Sequence, residues 1–287
     1  MDLNTYLRNK YGKKLYKVSI NAGLTCPNRD GTCGNRGCIF CSESGSGDFA
    51  EDPLLSVTEQ IERGKRRVLA KMPKEGCGYI AYFQSFTNTY APVKRLRSIY
   101  KEAVDHPEIE IISIATRPDC LGEDVLDLLS EINEAKPVWV ELGLQTIHAD
   151  TAGYIRRGYD LPVFDEAVTN LKERGLETIV HVILGLPGES EEDMLETVRY
   201  VAKSGVSGIK LQLLHVLKGT DLAKDYAAGL FECLTLEEYV SIVQRCLEII
   251  PDDMVIHRMT GDGARRNLIA PLWSTDKKRV LNMIRLF

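Results

Sequence analysis

Short runs of apolar and β-branched residues alternate with amphipathic segments along most of this sequence, and that alternation restricts the fold more than any other feature. The runs are almost continuously apolar, as expected of strands buried on both faces of a parallel sheet. They are YKVSIN (16–21), GYIAYF (78–83), IEIISIA (109–115), VWVELGL (138–144), ETIVHVILG (177–185) and GIKLQLLHV (208–216). The pattern predicts an α/β protein with a largely parallel sheet.

The segments between these runs carry helix start signals. Ser56 with Glu59, and Ser190 with Asp193, have the spacing of a capping box. Strand followed by helix, six times over, is typical of βαβ crossover units. Six units are too few for a closed eight-fold barrel, so we predict a partial (β/α)6 barrel of the TIM type. In such folds the chemistry gathers at the carboxyl ends of the strands. Three more helices are expected near 92–105, 123–133 and 162–174.

The last part of the chain follows a different pattern. A capping box at Thr235 and Glu238 predicts a helix, MVIHRM (254–259) predicts a strand, and a glycine-rich turn leads into a basic, apolar tail. We therefore expect a barrel core over 1–225 and a short α/β extension over 226–287. The extension would cap the barrel on the side where substrate enters.

The stretch LTCPNRDGTCGNRGCIFC (24–41) holds four of the eight cysteines and follows the first predicted strand directly. Cys38 and Cys41 form a C-x-x-C pair, Cys26 lies twelve residues before Cys38, and Cys33 stands between. Four thiols could bind zinc tetrahedrally, or three could bind an iron–sulfur cluster and leave one iron open. Structural zinc sites usually contain two C-x-x-C pairs. The single pair, and the position of the loop (24–47) at the barrel mouth, favour iron.

Composition limits the setting and the partners. The net charge is −5, so contact with nucleic acid would need a local basic patch. The first residues lack the apolar segment of a signal peptide, and no apolar run reaches the ~18 residues of a membrane span. We therefore predict a cytoplasmic protein without a membrane partner, in a compartment where clustered thiols more often hold a metal than form disulfides.

The order of these elements resembles the radical S-adenosylmethionine (SAM) superfamily. Cys26, Cys38 and Cys41 have the spacing C-x11-C-x2-C, where C-x3-C-x2-C is the commonest form. The longer spacing is similar to that of enzymes related to the catalytic subunit of Elongator, which modifies the wobble uridine of tRNA. The cysteine loop, YFQSFTNTYAP (82–92) and GLQT (143–146) together resemble a bacterial family of the YhcC/YtqA type.

This resemblance implies a cofactor pair. In the superfamily three cysteines bind a 4Fe–4S cluster, and SAM binds the fourth iron through its amino and carboxylate groups. One electron from the cluster then cleaves SAM to methionine and a 5′-deoxyadenosyl radical. Cys26, Cys38 and Cys41 would be the ligands, and Cys33 has no counterpart in that scheme. An electron donor such as flavodoxin or ferredoxin is implied as a partner.

The resemblance also assigns SAM contacts to the strand ends. Gln84 and Asn88 stand where the superfamily usually has a GGE element that binds the amino group of SAM. Glu141 and Gln145 match the ELGxQ element; Glu141 lies in an apolar run, so it should be inside the barrel, where a charge needs a partner. Arg157, in IRRGYD, is the candidate salt-bridge partner of the SAM carboxylate.

Further contacts are implied near the adenine of SAM. Phe40 precedes the last cysteine of the loop and resembles the aromatic residue that meets the adenine. Gly185, in HVILGLPGE, allows close approach of backbone to ligand. Leu214 and His215 resemble the segment that closes over the adenine. His181 either lines the cavity or is a satisfied core residue, and the sequence does not decide between the two.

Substrate binding and substrate identity are the least determined. Arg117, Arg258 and Asp262 are the candidates for residues that face the substrate, and basic runs near both ends of the chain either meet phosphates or are solvated faces. The leading hypothesis is a radical SAM enzyme that modifies a wobble-uridine side chain in tRNA. The alternatives are a radical SAM enzyme for a small metabolite or a protein, and a non-catalytic, zinc-stabilised RNA-binding protein.

Overall fold

The computed structural model describes residues 1–45, 47–70, 76–261, 263 and 265–285, and contains one large parallel sheet curled into a half-barrel. Its strands lie side by side in chain order, with β8 next to β6. The strands are β1 (Lys14–Ile20), β2 (Cys77–Phe83), β3 (Ile109–Thr116), β4 (Val138–Gln145), β5 (Glu177–Leu184), β6 (Gly208–Leu213), β7 (Val216–Leu217), β8 (Val255–Arg258) and β9 (Leu268–Ala270). All six predicted barrel strands are confirmed.

Most of the helices cover the outer face of the sheet, whereas α1 closes the bottom of the half-barrel. They are α1 (Leu3–Tyr11), α2 (Val57–Leu69), α3 (Val93–Asp105), α4 (Glu123–Ala135), α5 (Ala149–Tyr154), α6 (Leu161–Glu173), α7 (Glu191–Lys203), α8 (Asp221–Ala227), α9 (Leu236–Ile249) and α10 (Lys277–Arg285). The capping boxes of Ser56, Ser190 and Thr235 are formed, with both reciprocal hydrogen bonds in each. No helix in the described ranges is both long enough and apolar enough to cross a bilayer.

The sheet has one strand more than the six-unit prediction. The strand expected at 254–259 forms as β8, and it pairs in parallel with β6, so that Ile209 lies opposite Ile256. Pairing with β8 covers the edge that β6 would otherwise expose to solvent. The C-terminal part thus contributes directly to the sheet, while β7 and β9 form a separate antiparallel pair beside the mouth. A domain boundary at 225 stays a prediction.

The two faces of the sheet are packed differently. Outward-facing residues such as Phe83 and Val140 form the main core with the helices, where the rings of Phe83 and Tyr100 meet edge to face at 5.2 Å. The inner face has layers, because alternate residues of a strand point to the same side. Its lowest layer is an apolar plug of Leu7, Leu15, Ile80, Ile111, Trp139 and Ile179, sealed by α1. The layers above the plug form the site.

Candidate active site at the mouth of the half-barrel

A cavity of about 250 Å³ opens at the carboxyl ends of the strands, which we call the mouth, and reaches down into the half-barrel. Residues of the cysteine loop line its upper part, including Cys26, Cys38 and Cys41. Inward-facing residues of the strands line its lower part, including Glu141 and Lys210. The fold therefore places the predicted metal ligands and the barrel interior in one continuous space, as the strand-end rule leads one to expect.

Backbone hydrogen bonds hold the cysteine loop in shape. The N–H of Cys41 donates to the carbonyl of Cys38 at 3.0 Å, which closes the C-x-x-C turn. The guanidinium of Arg29 donates to the carbonyls of Cys41 and Ser42 at 3.2 and 2.6 Å. Cys33 is exposed and does not line the cavity. Three thiols face the cavity and the fourth lies outside it, an arrangement that favours the three-ligand alternative over four-thiol zinc.

Asn28 connects this loop to the chain beyond α5. Its side-chain amide is buried and donates to the carbonyls of Arg156 and Arg157 at 2.7 and 3.2 Å. The same nitrogen lies 3.5 Å from the sulfur of Cys38. Gly158 makes this approach possible, because a Cβ at that position, where φ is +82°, would lie 2.5 Å from the amide oxygen of Asn28. Asn28 thereby orients a predicted ligand.

The donor set fits an iron–sulfur cluster. Burial, and the neighbouring thiols of Cys41 and Cys26, raise the pKa of Cys38 to about 12. A thiolate at this position therefore needs an adjacent positive charge, which iron would supply. The amide oxygen of Gln145, which also lines the cavity, is buried without a hydrogen-bond partner among the described residues. A polar ligand above the cysteines would satisfy it.

Two arginines and a tyrosine support the mouth. Arg117 makes a two-pronged ion pair with Asp119 at 2.8 and 2.7 Å and donates to the carbonyl of Arg157 at 2.7 Å. Arg157 in turn donates to the carbonyls of Thr146 and Tyr159, at 2.6 and 3.0 Å. The ring centre of Tyr159 lies 5.4 Å from the guanidinium carbon of Arg117 and 4.5 Å from that of Arg157. These cation–π contacts fix both arginines at the cavity wall.

A charged layer lies between the mouth and the apolar plug. Glu141 is fully buried, and its Oε1 accepts from Lys17 at 2.8 Å and from Ser113 at 2.7 Å. Its Oε2 accepts from His181 at 2.8 Å and from Lys210. The ring of Tyr82 lies beneath both ammonium groups, 4.6 and 4.5 Å from them. We call this set the Glu141 cluster; its members are Lys17, Tyr82, Ser113, Glu141, His181 and Lys210.

The electrostatics of the cluster follow from two ammonium groups sharing one carboxylate. Burial alone would raise the pKa of Glu141, but Lys17, Lys210 and the His181 hydrogen bond hold that pKa well below its usual range. Burial, aided by Lys210, lowers the pKa of His181 to about 4, so its ring is neutral at pH 7. Burial, together with Lys17 and Arg258, also lowers the pKa of Lys210, because Glu141 cannot fully compensate both lysines.

Most of the predicted site residues line the same cavity. They are Cys26, Cys38, Phe40, Cys41, Gln84, Arg117, Glu141, Gln145, Arg157, His181, Leu214, His215 and Arg258. Their assignments to SAM or substrate stay predictions. His181 combines the two alternatives that the sequence left open, because it lines the cavity and is also satisfied by a hydrogen bond to Glu141.

Two predicted residues, Asn88 and Gly185, are not brought to the cavity wall, and a third lies outside the described residues. Asn88 is fully buried, and its amide donates to the carbonyls of Phe83 and Ala115 at 3.0 and 2.9 Å, so it joins the ends of β2 and β3. Its assignment to SAM stays a prediction. The N–H of Gly185 donates to the sulfur of Met194 at 3.0 Å, and its Cα faces Leu234. Asp262 lies outside the described residues.

Sequence reasoning missed several residues that matter here. Lys17 and Lys210 each interrupt an apolar strand, and the argument that required a partner for Glu141 applies to them as well. Pairing the three charged residues in the apolar runs of β1, β4 and β6 would have found the cluster. Asn28 carried no such signal, because loop asparagines are common and its partners are distant in sequence.

Comparison with known proteins identifies the family to which this fold and site belong. The Radical SAM superfamily model matches residues 31–201, and the Radical_SAM C-terminal domain model matches 206–286. Among solved structures, archaeal Elp3 of Methanocaldococcus infernus, with residues 1–46 deleted, superposes with a TM-score of 0.68 at 17% identity. That likeness covers 96% of this chain and 63% of the Elp3 chain, so this chain spans less than two thirds of Elp3.

Proteins that are similar in sequence extend the comparison. YtqA of Bacillus subtilis is 47% identical over 98% of this chain and 87% of its own length, and YhcC of Escherichia coli K12 is 38% identical over 94% and 86%. The tRNA uridine(34) acetyltransferase of Methanocaldococcus jannaschii is 27% identical over 53% of this chain and 28% of its own length.

A curled parallel half-barrel with three cysteine thiols at the carboxyl ends of its strands defines the radical SAM enzymes, whose members bind a 4Fe–4S cluster and SAM. The chain belongs to the radical SAM superfamily. Within the superfamily it belongs to the YhcC/YtqA family, which is related to Elongator.

Proposed function

We propose that this radical SAM enzyme modifies the side chain of a wobble uridine in tRNA. The observation that carries the proposal is the sequence match to a tRNA uridine(34) acetyltransferase, which spans about half of this chain. The Elp3-like fold and the long spacing between Cys26 and Cys38 support it. A small metabolite or a protein side chain is the alternative substrate.

The residues at the mouth have distinct parts in this proposal. Cys26, Cys38 and Cys41 would hold the cluster, which supplies the electron that splits a carbon–sulfur bond of SAM. Arg157 and Gln145, both on the cavity wall, would meet the polar end of SAM. The cysteine loop closes one side of the cavity. This would keep water away from the carbon of SAM whose bond to sulfur is split.

The surface beside the mouth suits an RNA partner. Phe49, Arg265 and Lys277 line a shallow depression that shares Phe49 and Gly263 with the main cavity. Phe49 is 47% exposed, so its ring is available to stack on a base, and the two basic residues are exposed. An acidic chain can approach RNA through such a local patch. An electron donor such as flavodoxin or ferredoxin, and a cytoplasmic location, stay predictions.

Modified nucleosides of total tRNA test the substrate. A deletion strain should lack, or accumulate a precursor of, one wobble-uridine nucleoside in digests analysed by liquid chromatography and mass spectrometry. The wild-type gene should restore the profile, and a Cys38→Ala gene should not. A Cys33→Ala gene is the matched control and should restore it. An unchanged profile in the deletion strain would rule out tRNA as the substrate.

A further inference from the structure

The Glu141 cluster forms the floor of the cavity, and burying its charged groups costs free energy. The layer beneath it is apolar, and an apolar floor at this level would avoid burying charges. Buried ion pairs are often no more stabilising than well-packed apolar residues of similar volume, because each ion loses its water. Lys210 is 3% exposed and Glu141 is fully buried, so both are desolvated. A function at this depth would explain why the chain keeps charges there.

The floor carries more positive than negative charge. Lys17 and Lys210 share the one carboxylate of Glu141, each through a different oxygen. An ammonium group has three N–H donors, and Lys210 directs one to Glu141 and one, at 3.3 Å, to the hydroxyl of Tyr82. Around the whole cavity, the described lining residues include five basic side chains and two carboxylates, Asp48 and Glu141. Asp48 hydrogen-bonds the loop residues Ser42 and Ser44.

We propose that Lys210, supported by Lys17 and Tyr82, binds a carboxylate carried by the substrate on the floor of the cavity. The identification of that substrate as a tRNA nucleoside rests on the proposed function above. A carboxylate would give Lys210 a second anionic partner. Burial lowers the pKa of Lys210, and an anion bound beside it would raise that pKa and favour the charged form.

The depth of Lys210 separates this anion from the carboxylate of SAM. Lys210 lies three residues before the end of β6, roughly 10 Å of strand below the mouth. SAM binds at the level of the cysteine loop in this superfamily, where Arg117 and Arg157 line the wall. The proposal therefore assigns the floor to the substrate, in place of the SAM contact predicted for Glu141. A phosphate dianion would suffer more repulsion from Glu141 than a carboxylate monoanion, so the carboxylate is favoured.

Three RNA stem–loops that differ only at C5 of the wobble uridine test the proposal. One has a carboxymethyl group, one has the isosteric carbamoylmethyl amide, and one is unmodified. Their binding to the anaerobically reconstituted holoenzyme with SAM is followed by fluorescence anisotropy. A charge-assisted hydrogen bond predicts about tenfold tighter binding of the carboxymethyl RNA than of the amide. Equal affinities would overturn the inference and leave the proposed function standing.

Variants assign the effect to the floor. Lys210→Met should bring the two affinities within about twofold of each other. Lys203→Met, at an exposed lysine of α7, is the control and should keep the full difference. Unchanged preference in Lys210→Met would overturn the assignment. Affinity for SAM, measured without RNA, should be unaffected in Lys210→Met, and its loss would mean that Lys210 holds the SAM carboxylate instead. If Lys210→Met does not fold, the proposal is tested by comparing the affinities of the wild-type enzyme for the carboxymethyl RNA and the amide RNA.

A small-anion arm covers the case in which no RNA binds, which would reject the proposed function. The holoenzyme is titrated with acetate and with its neutral isostere acetamide, and thermal stability is recorded. Acetate should stabilise the wild-type protein but not Lys210→Met, and acetamide should stabilise neither. Equal effects of acetate on both proteins would overturn the carboxylate site.

Discussion

The mouth and the floor of the cavity are built on opposite principles. At the mouth, Asn28, Arg29 and Arg157 donate to backbone carbonyls, and the loops carry the functional groups. On the floor, Lys17 and Lys210 pair with another side chain, Glu141, and regular strands carry every member. The mouth is therefore held largely by side chains that donate to the main chain, with an added ion pair between Arg117 and Asp119, and the floor by contacts between side chains.

This difference indicates which part is general and which part is particular. Backbone carbonyls are available whatever the sequence, so a mouth that uses them can present three thiols on many scaffolds. The floor depends on the identity of a few side chains, and one substitution changes its charge. We infer that the mouth serves the cofactors common to the superfamily and that the floor distinguishes one substrate from another.

The largest expected effect is loss of the cluster from the mouth. Cys38→Ala should leave anaerobically reconstituted protein with far less iron than the about four irons per chain expected of the wild type. The free energy of unfolding of the iron-free protein should change little, since the loop is held by backbone contacts. Iron analysis and the visible absorbance of the cluster measure the first effect, and urea denaturation measures the second.

Cys33→Ala is the matched control for this prediction, because Cys33 belongs to the same loop but is exposed. It should retain full iron. Equal loss of iron in both variants, or stoichiometric zinc in the wild type, would contradict the three-ligand assignment.

The floor should respond in the opposite way, with a large loss of stability in the iron-free protein. Glu141→Gln removes the carboxylate and leaves two ammonium groups without their anion, which should cost about 3–5 kcal/mol in the free energy of unfolding. Adding Lys210→Met should recover part of that loss, because only Lys17, which is 22% exposed, then stays unpaired. Strictly additive effects in urea denaturation would show that the pair is not coupled.

The pH dependence of stability should also originate at the floor. The pKa of His181 is about 4 in the folded protein and about 6.5 in the unfolded chain, so the unfolded chain binds the proton first as pH falls. The contribution is fully present above pH 6.5 and is lost between pH 6.5 and about 4, by up to about 3 kcal/mol. His181→Asn should flatten the slope, and His257, whose pKa burial also lowers, and Glu141, whose pKa is held low, contribute to the remainder. An unchanged slope would contradict the neutral, buried state of His181.

The sequence predicted the scaffold because the scaffold depends on local pattern. Ser56 with Glu59 starts α2 as expected, since a capping box involves residues only three positions apart. The apolar run of β4 is buried on both faces of the sheet, which requires no knowledge of its neighbours. The strand at 254–259 was predicted, but its partner was not, because pairing with β6 depends on contacts across about 50 residues of sequence.

The site could be predicted only where residue type and strand position suffice. Glu141 was identified because a carboxylate in an apolar run requires an explanation, but its partners come from β1, β3, β5 and β6 and are defined by sheet register. Asn88 shows the converse. A polar residue at a strand end looks like a ligand contact in the sequence, and the structure adds a structural use, because its amide nitrogen joins two strand ends. Only tertiary structure separates these two uses of a polar side chain.

The smallest expected effect concerns Tyr159, a single side chain at the mouth. Its substitution should change the free energy of unfolding only slightly. Tyr159→Phe keeps the ring between Arg117 and Arg157 and removes one hydrogen bond to the carbonyl of Gly143, so it should cost about 1 kcal/mol. Tyr159→Leu also removes both cation–π contacts and should cost roughly 1 kcal/mol more. Urea denaturation of the iron-free protein measures both. A loss as large as that of Glu141→Gln would show that side chains, and not backbone carbonyls, hold the mouth.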